Sequence, residues 1–172
     1  SSFVIAHIDF KGFLKVPHVL SENPRLDFCK LANNFFNLLP KTNIEDSAII
    51  GKDVEIGEDV YIGHNVVIED GVRIGSGSII LHNVIISKES KLGKFCLIKS
   101  GTVIGQRGFG FERNDDGLPI SFPHFGSVVI GDNVEIGALN TIVAGALTDT
   151  IINDYVKNDD HVHVAHNAVI GK

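Results

Sequence analysis

An aliphatic side chain returns at every sixth position from Ile44 to Ile104: Ile44, Ile50, Ile56, Ile62, Ile68, Ile74, Ile80, Ile86, Leu92, Ile98 and Ile104. A second, smaller series stands two residues before each member after the first: Ala48, Val54, Val60, Val66, Val72, Ser78, Val84, Ser90, Cys96 and Thr102. An α-helix turning about 100° per residue cannot hold a strict six-residue period on one face. A short strand, a corner and the next strand can, so the period predicts an all-β solenoid, a parallel β-helix of hexapeptide repeats. One rung alone cannot bury its aliphatic groups, but stacked rungs form a continuous column, each fully buried side chain contributing roughly 1.5–3 kcal/mol. Glycine follows directly at Gly51, Gly57, Gly63, Gly75, Gly93 and Gly105. That placement predicts a corner needing either an unusual backbone angle or a close approach. Cys96, within the inward series of small residues, is expected to be a packed thiol and not a nucleophile.

The rhythm breaks at Gln106–Ser127, QRGFGFERNDDGLPISFPHFGS, which carries Phe109, Phe111, Phe122 and Phe125 among turn-forming residues. A long excursion from a compact solenoid is expected to be functional or contact-making. The period resumes at Ile130, Ile136 and Ile142, slips at Thr148, and returns at Ile152, Val164 and Ile170. Asn158 takes an inward position, where an unpaired amide costs on the order of 1–3 kcal/mol. Either the rung shifts there or the amide finds partners.

Residues 1–41 read differently, as a small α/β piece. Leu26, Phe28, Leu31, Phe35 and Leu38 fall at helical spacing between Asn23-Pro24 and Pro40. They predict one helix, preceded by a strand-like SFVIAHIDF and capping the open end of the solenoid. Residues 42–172 form the repeat, and Gly171-Lys172 ends it in mid-repeat, so the native protein is expected to continue. The chain lacks Met, and Ser1-Ser2 reads as a processing or cloning scar.

Composition excludes several classes. A net charge of −6 argues against a generally basic nucleic-acid surface. No apolar run approaches the ~20 residues of a membrane-spanning helix. Cys29 and Cys96 are too few for a disulfide scaffold, which fits a reducing compartment.

Histidine is the natural group for proton transfer near neutral pH. Three of them share a local frame, in Gly63-His64-Asn65, Leu81-His82-Asn83 and Ala165-His166-Asn167. If the coil is triangular, His64 and His82 stand one coil apart and stack on one edge. The bland reading is that His-Asn suits a corner, since both residues tolerate left-handed backbone. His161, His163 and His166 with Asp159 and Asp160 form a cluster that a metal site would need, but polar surface is the better reading. Lys88, Lys91, Lys94 and Lys99 form a modest basic patch, read first as a solvated face.

GTVIGQRGFGF (Gly101 to Phe111), GSVVIGDNVEIGA (Gly126 to Ala138), GALTDT (Gly145 to Thr150) and VHVAHNAVIG (Val162 to Gly171) together resemble the UDP-3-O-acylglucosamine N-acyltransferases of lipid A biosynthesis. The resemblance covers nearly the whole chain. Asn23-Pro24-Arg25-Leu26 is similar to the end of that family's N-terminal uridine-binding domain, whose uridine-contacting segment lies further upstream. The family implies a left-handed β-helix and a homotrimer with active sites between neighbouring subunits in the bacterial cytoplasm. It implies no permanently bound cofactor and no metal; the donor would be an acyl-carrier-protein or CoA thioester and the acceptor a UDP-linked amino sugar. The family's general base maps onto His166, and its oxyanion-stabilising N–H onto a coil past Lys172, so this segment alone would be inactive. Phe109, Phe111 and His163 are the substrate-binding candidates, the two phenylalanines either lining the acceptor site or packing on a neighbouring subunit.

Three departures bear on the substrate. Asp160 replaces the family's asparagine, Val143-Ala144 its Asp-Arg pair, and Asn158 an aliphatic residue. Asp160 is therefore a candidate support for His166, holding it in one tautomer. The alternatives are an acetyl-CoA-dependent N-acetyltransferase of surface-polysaccharide synthesis and a non-catalytic trimeric β-helix subunit.

Overall fold

The computed structural model describes residues 3–36 and 39–171, so Ser1, Ser2, Asn37, Leu38 and Lys172 lie outside the described residues. The chain divides into two compact units, Ser1–Leu39 and Pro40–Lys172. In the first, parallel strands β1 (Val4–His7) and β2 (His18–Ser21) accompany helix α1 (Pro24–Phe35). Asn23 caps the helix, its side-chain oxygen accepting the Leu26 N–H at 3.0 Å, with Pro24 in the first turn. None of the described helix residues is buried.

The second unit is a three-sided parallel solenoid. Strands of two to four residues stack into two six-stranded sheets and one five-stranded sheet. Each rung donates to the next coil, as in Gly51 N–H to the Ile68 carbonyl and Gly63 N–H to the Ile80 carbonyl, both 2.8 Å. The aliphatic series points inward on all three sides: Ile62, Ile80, Ile98 and Ile136 on one, Ile68, Ile86, Ile104 and Ile142 on the next, Ile74, Leu92, Ile130 and Ile152 on the third, all buried. Ile44 and Ile50, in the first coil, are exposed.

Two small polar residues of the second series are satisfied by the next coil, whereas the buried Ser90 hydroxyl has no partner. Thr102 donates to the Gly137 carbonyl at 2.8 Å and Ser78 to that of Gly93 at 3.0 Å. Cys96 is 1% exposed, and burial pushes its thiol up from the usual range, so it packs and does not react. Asn158 keeps its inward place with half its amide satisfied. Its Oδ1 accepts from Gly137 N–H at 3.3 Å, whereas its Nδ2 is buried without a partner.

The unusual backbone angle and the close approach fall at different positions except at Gly105, which combines a φ of 86° with a Cβ position 2.6 Å from Ser90 Oγ. Glycines directly after the aliphatic residue serve close approach: a Cβ on Gly51 would lie 2.5 Å from the Asp70 carboxylate of the coil above. The left-handed residue stands three positions after the inward one, at Asn65, Asn83, Phe95, Leu139, Tyr155, His161 and Asn167 among others. Bulk in that conformation is expensive, and two cases share one accommodation. Phe95 lies over Gly77 and Leu139 over Gly101, each 2.5 Å from where a Cβ would be. In the His-Asn pairs it is the asparagine that turns left-handed, while the His64 and His82 rings stack at 5.4 Å.

On one face Glu135 accepts from Lys157 at 2.7 Å and pairs with Lys99 at 2.8 Å, so Lys99 is no free member of a basic patch. The bond from Lys157, then that from Lys99, holds the Glu135 carboxyl below its ordinary value. The folded state thus binds this proton less readily than the unfolded chain, and the contribution is lost as pH falls through the folded pKa. Glu135→Gln is expected to lower stability at pH 7, with the two proteins converging in acid. Urea unfolding midpoints between pH 7 and strongly acidic conditions check this, and parallel curves would contradict it.

Candidate active site

Two places break the coil length, and both lie at one corner. Regular neighbours are 18 residues apart, as in the Lys52–Asp70 bond. Across the first break, partners such as Lys94 and Asp132 are 38 apart, twenty more than a coil needs. Across the second, partners such as Asp132 and Asp154 are 22 apart, an excess of four. The first excursion leaves after Ile104 and carries an antiparallel hairpin, Phe111–Arg113 with Pro119–Ser121. The second leaves after Ile142, directly above, and contains Gly145–Thr148. One coil higher, after Val164, the same corner carries His166 and Asn167.

The two excursions are tied together. Phe125 N–H donates to the Ala146 carbonyl at 2.7 Å, and Asp149 accepts from Ser127 N–H at 2.8 Å and from its hydroxyl at 3.0 Å. Between them and the final corner lies a cleft of about 460 Å³ lined by Phe111, Phe122, His124, Leu147, His166 and Asn167 among others. A second cleft, of about 540 Å³, lies where Ser87, Lys88, Gln106, Arg107 and Ala144 meet the other end of the loop.

Hydrogen bonding decides which His166 nitrogen carries the proton. Asn167 donates through Nδ2 to the Thr148 carbonyl at 3.1 Å and hydroxyl at 2.8 Å, and its Oδ1 accepts from Ala146 N–H at 3.1 Å. Its amide orientation is therefore fixed by partners other than the imidazole. The same Oδ1 lies 3.0 Å from His166 Nδ1, so Nδ1 must donate. The lone pair is left on Nε2, the state a general base requires.

Of the predicted residues, His166 and Phe111 meet in the cleft. Phe109 does not line it; it is 91% exposed and packs edge-to-face on Phe111 at 5.8 Å. His163 is exposed on the strand His163–Val164 and does not line the cleft. Asp160 does not support His166. Six residues are a third of a coil, which puts Asp160 on the preceding corner, where its carboxylate accepts from Ala138 N–H at 2.6 Å. Among the described residues no group of three or more His, Cys, Asp or Glu could hold a metal ion. Asn167's role in fixing the tautomer and the place of His124 in the cleft wall were missed. Aligning the coils at spacings of 18, 38 and 22 would have stacked both excursions under His166.

A three-sided solenoid of six-residue rungs with a histidine cleft at an enlarged corner is a hexapeptide-repeat left-handed β-helix, the fold of solved UDP-N-acetylglucosamine acyltransferases. One of these superposes with a TM-score of 0.67 at 28% identity over 76% of this chain and 48% of its own. The enzyme from Campylobacter jejuni gives 0.63 at 25% identity over 73% and 46%. In sequence, the chain is similar to proteins named UDP-3-O-acylglucosamine N-acyltransferase, as its motifs suggest. That of Fusobacterium nucleatum is 43% identical over 96% of this chain and 52% of its own length. A Coxiella burnetii protein of the same name is 41% identical over 89% and 50%. The chain spans about half the length of the curated relatives it matches. A family model described as the GMPPB C-terminal domain matches residues 38–108.

Proposed function

We propose that the protein of which this chain is part transfers an acyl group from an acyl-carrier-protein or CoA thioester to the amino group of a UDP-linked amino sugar, as in lipid A biosynthesis. The observation that carries this reading is the His166 ring, protonated on Nδ1 by its bond to Asn167, with Nε2 left as the base beside the apolar walls of Phe111, Phe122 and Leu147. The relatives' name supports the acceptor and the bond formed.

In this mechanism the sugar amine attacks the thioester carbonyl, and His166 Nε2 takes its proton. The C–N bond forms, the tetrahedral centre collapses, and the C–S bond breaks. The thiolate leaves with the proton returned by His166 Nε2, giving an amide and a free thiol. A general base contributes roughly 10²–10⁴-fold to such a step. The apolar walls suit an acyl chain, whereas the nucleotide would lie outside this cleft. Exposed apolar groups of the second unit, including Phe125 and Leu147, fit a homotrimer in which a neighbour completes the site. No helix among the described residues is long and apolar enough to cross a membrane, and the proposal places the protein in the bacterial cytoplasm.

The test is single-turnover transfer by the full-length protein, with long-chain 3-hydroxyacyl carrier protein and acetyl-CoA as donors and UDP-linked amino sugars as acceptors. Transfer from the carrier protein is expected. Transfer from acetyl-CoA alone would replace this reading with a polysaccharide-sugar acetyltransferase, and no transfer from either would overturn both.

A further inference from the structure

The His166 ring needs a second support that its own coil does not supply. At the other His-Asn corner a histidine one coil away stacks on its neighbour, His82 on His64. Below His166 the equivalent position, in register with Ile142 and Val164, is Ala144, whose methyl group cannot brace an imidazole. Asn167 fixes one ring nitrogen from one side only.

The loop fills the gap. His124 packs edge-to-face on His166, with ring centroids 5.4 Å apart and planes at 79°. His124 is itself anchored: its Nδ1 lies 3.1 Å from the Phe122 carbonyl, which can only accept, so Nδ1 carries the proton. The Phe122 ring meets it at 6.3 Å and 87°. Its Nε2 is buried without a partner beneath Gly108. A Cβ on Gly108 would lie 2.7 Å from that nitrogen and 3.2 Å from His166 Cδ2, so the loop backbone closes directly over both rings.

We propose that His124 is a positioning residue that fixes the orientation of the His166 ring, in the reaction assigned above. Edge-to-face contact between aromatic rings is favourable and directional, and small misplacement of a reacting group costs up to about 10²-fold in rate. His124 acts through its ring and not through proton transfer, because Nδ1–H is committed to Phe122 and Nε2 is buried.

The test compares His124→Ala with His124→Phe in the full-length protein. His124→Ala is expected to lower kcat by about tenfold while KM for donor and acceptor stays within about twofold; His124→Phe, which restores a ring, should recover most of that loss. Histidine-labelled protein gives a readout that needs no turnover. The unaltered protein and His124→Phe should show one set of His166 ring signals with Nδ1 protonated, and His124→Ala several or averaged ones. Unchanged ring signals in His124→Ala, or a His124→Phe protein as slow as His124→Ala, would overturn the proposal. Absence of transfer by the unaltered protein would defeat the assigned reaction instead, while the ring signals still decide the role of His124.

Discussion

His166→Ala is expected to lower acyl transfer by the full-length protein by roughly 10²–10⁴-fold, the range for loss of a general base, and to leave its folding and assembly unchanged. The separation follows from the geometry. The ring is exposed and makes one hydrogen bond, to its neighbour Asn167. Without it, Asn167 still holds Ala146, Thr148 and Thr150, so no buried group is orphaned. Rate constants at saturating donor and acceptor, beside a thermal melt and a size measurement, check both halves. Turnover near that of the unaltered protein would remove His166 from the chemistry.

The largest effect on stability is expected within the column. Ile80 is fully buried and pairs in register between Ile62 and Ile98. Ile80→Ala removes three carbons from a place the flanking coils cannot close, because their own strands are held by main-chain bonds on both sides. The loss should be about 2–5 kcal/mol, read from urea unfolding. A loss below about 1 kcal/mol would mean that this part of the column is loosely packed, against the close packing of protein interiors.

The solenoid was legible because its cause is periodic. Every sixth residue meets the same environment, so Ile44 through Ile104 repeat one argument eleven times. The helix at Pro24–Phe35 was legible from its cap and proline. The site was only partly so, since it is built where the period fails. His166 was reached through its motif, but Asp160 was misplaced because adjacency in sequence is not adjacency around a triangular coil. Nothing periodic announces that Phe122-Pro123-His124 returns to the same corner. That depends on how the loop closes, through Phe125 on Ala146 and Ser127 on Asp149. Asn167 was read as a corner residue and is one, with φ of 61°; its second role rests on partners a full coil away, 19 and 21 residues back in sequence.

The coil spacing explains how such a site can be afforded at all. Joining two neighbouring coils through a longer connection changes only the entropy of bringing its ends together, which grows with the logarithm of its length. Stretching the separation from 18 to 38 residues adds about 0.7 kcal/mol. That is less than one buried isoleucine returns, roughly 1.5–3 kcal/mol. Ile104 and Ile142 pack across the excursion as tightly as Ile86 and Ile104 do without one, all fully buried. A corner can therefore gain or lose a binding loop while the column beneath it is unaffected, so specificity can change in this fold with little change in its stability.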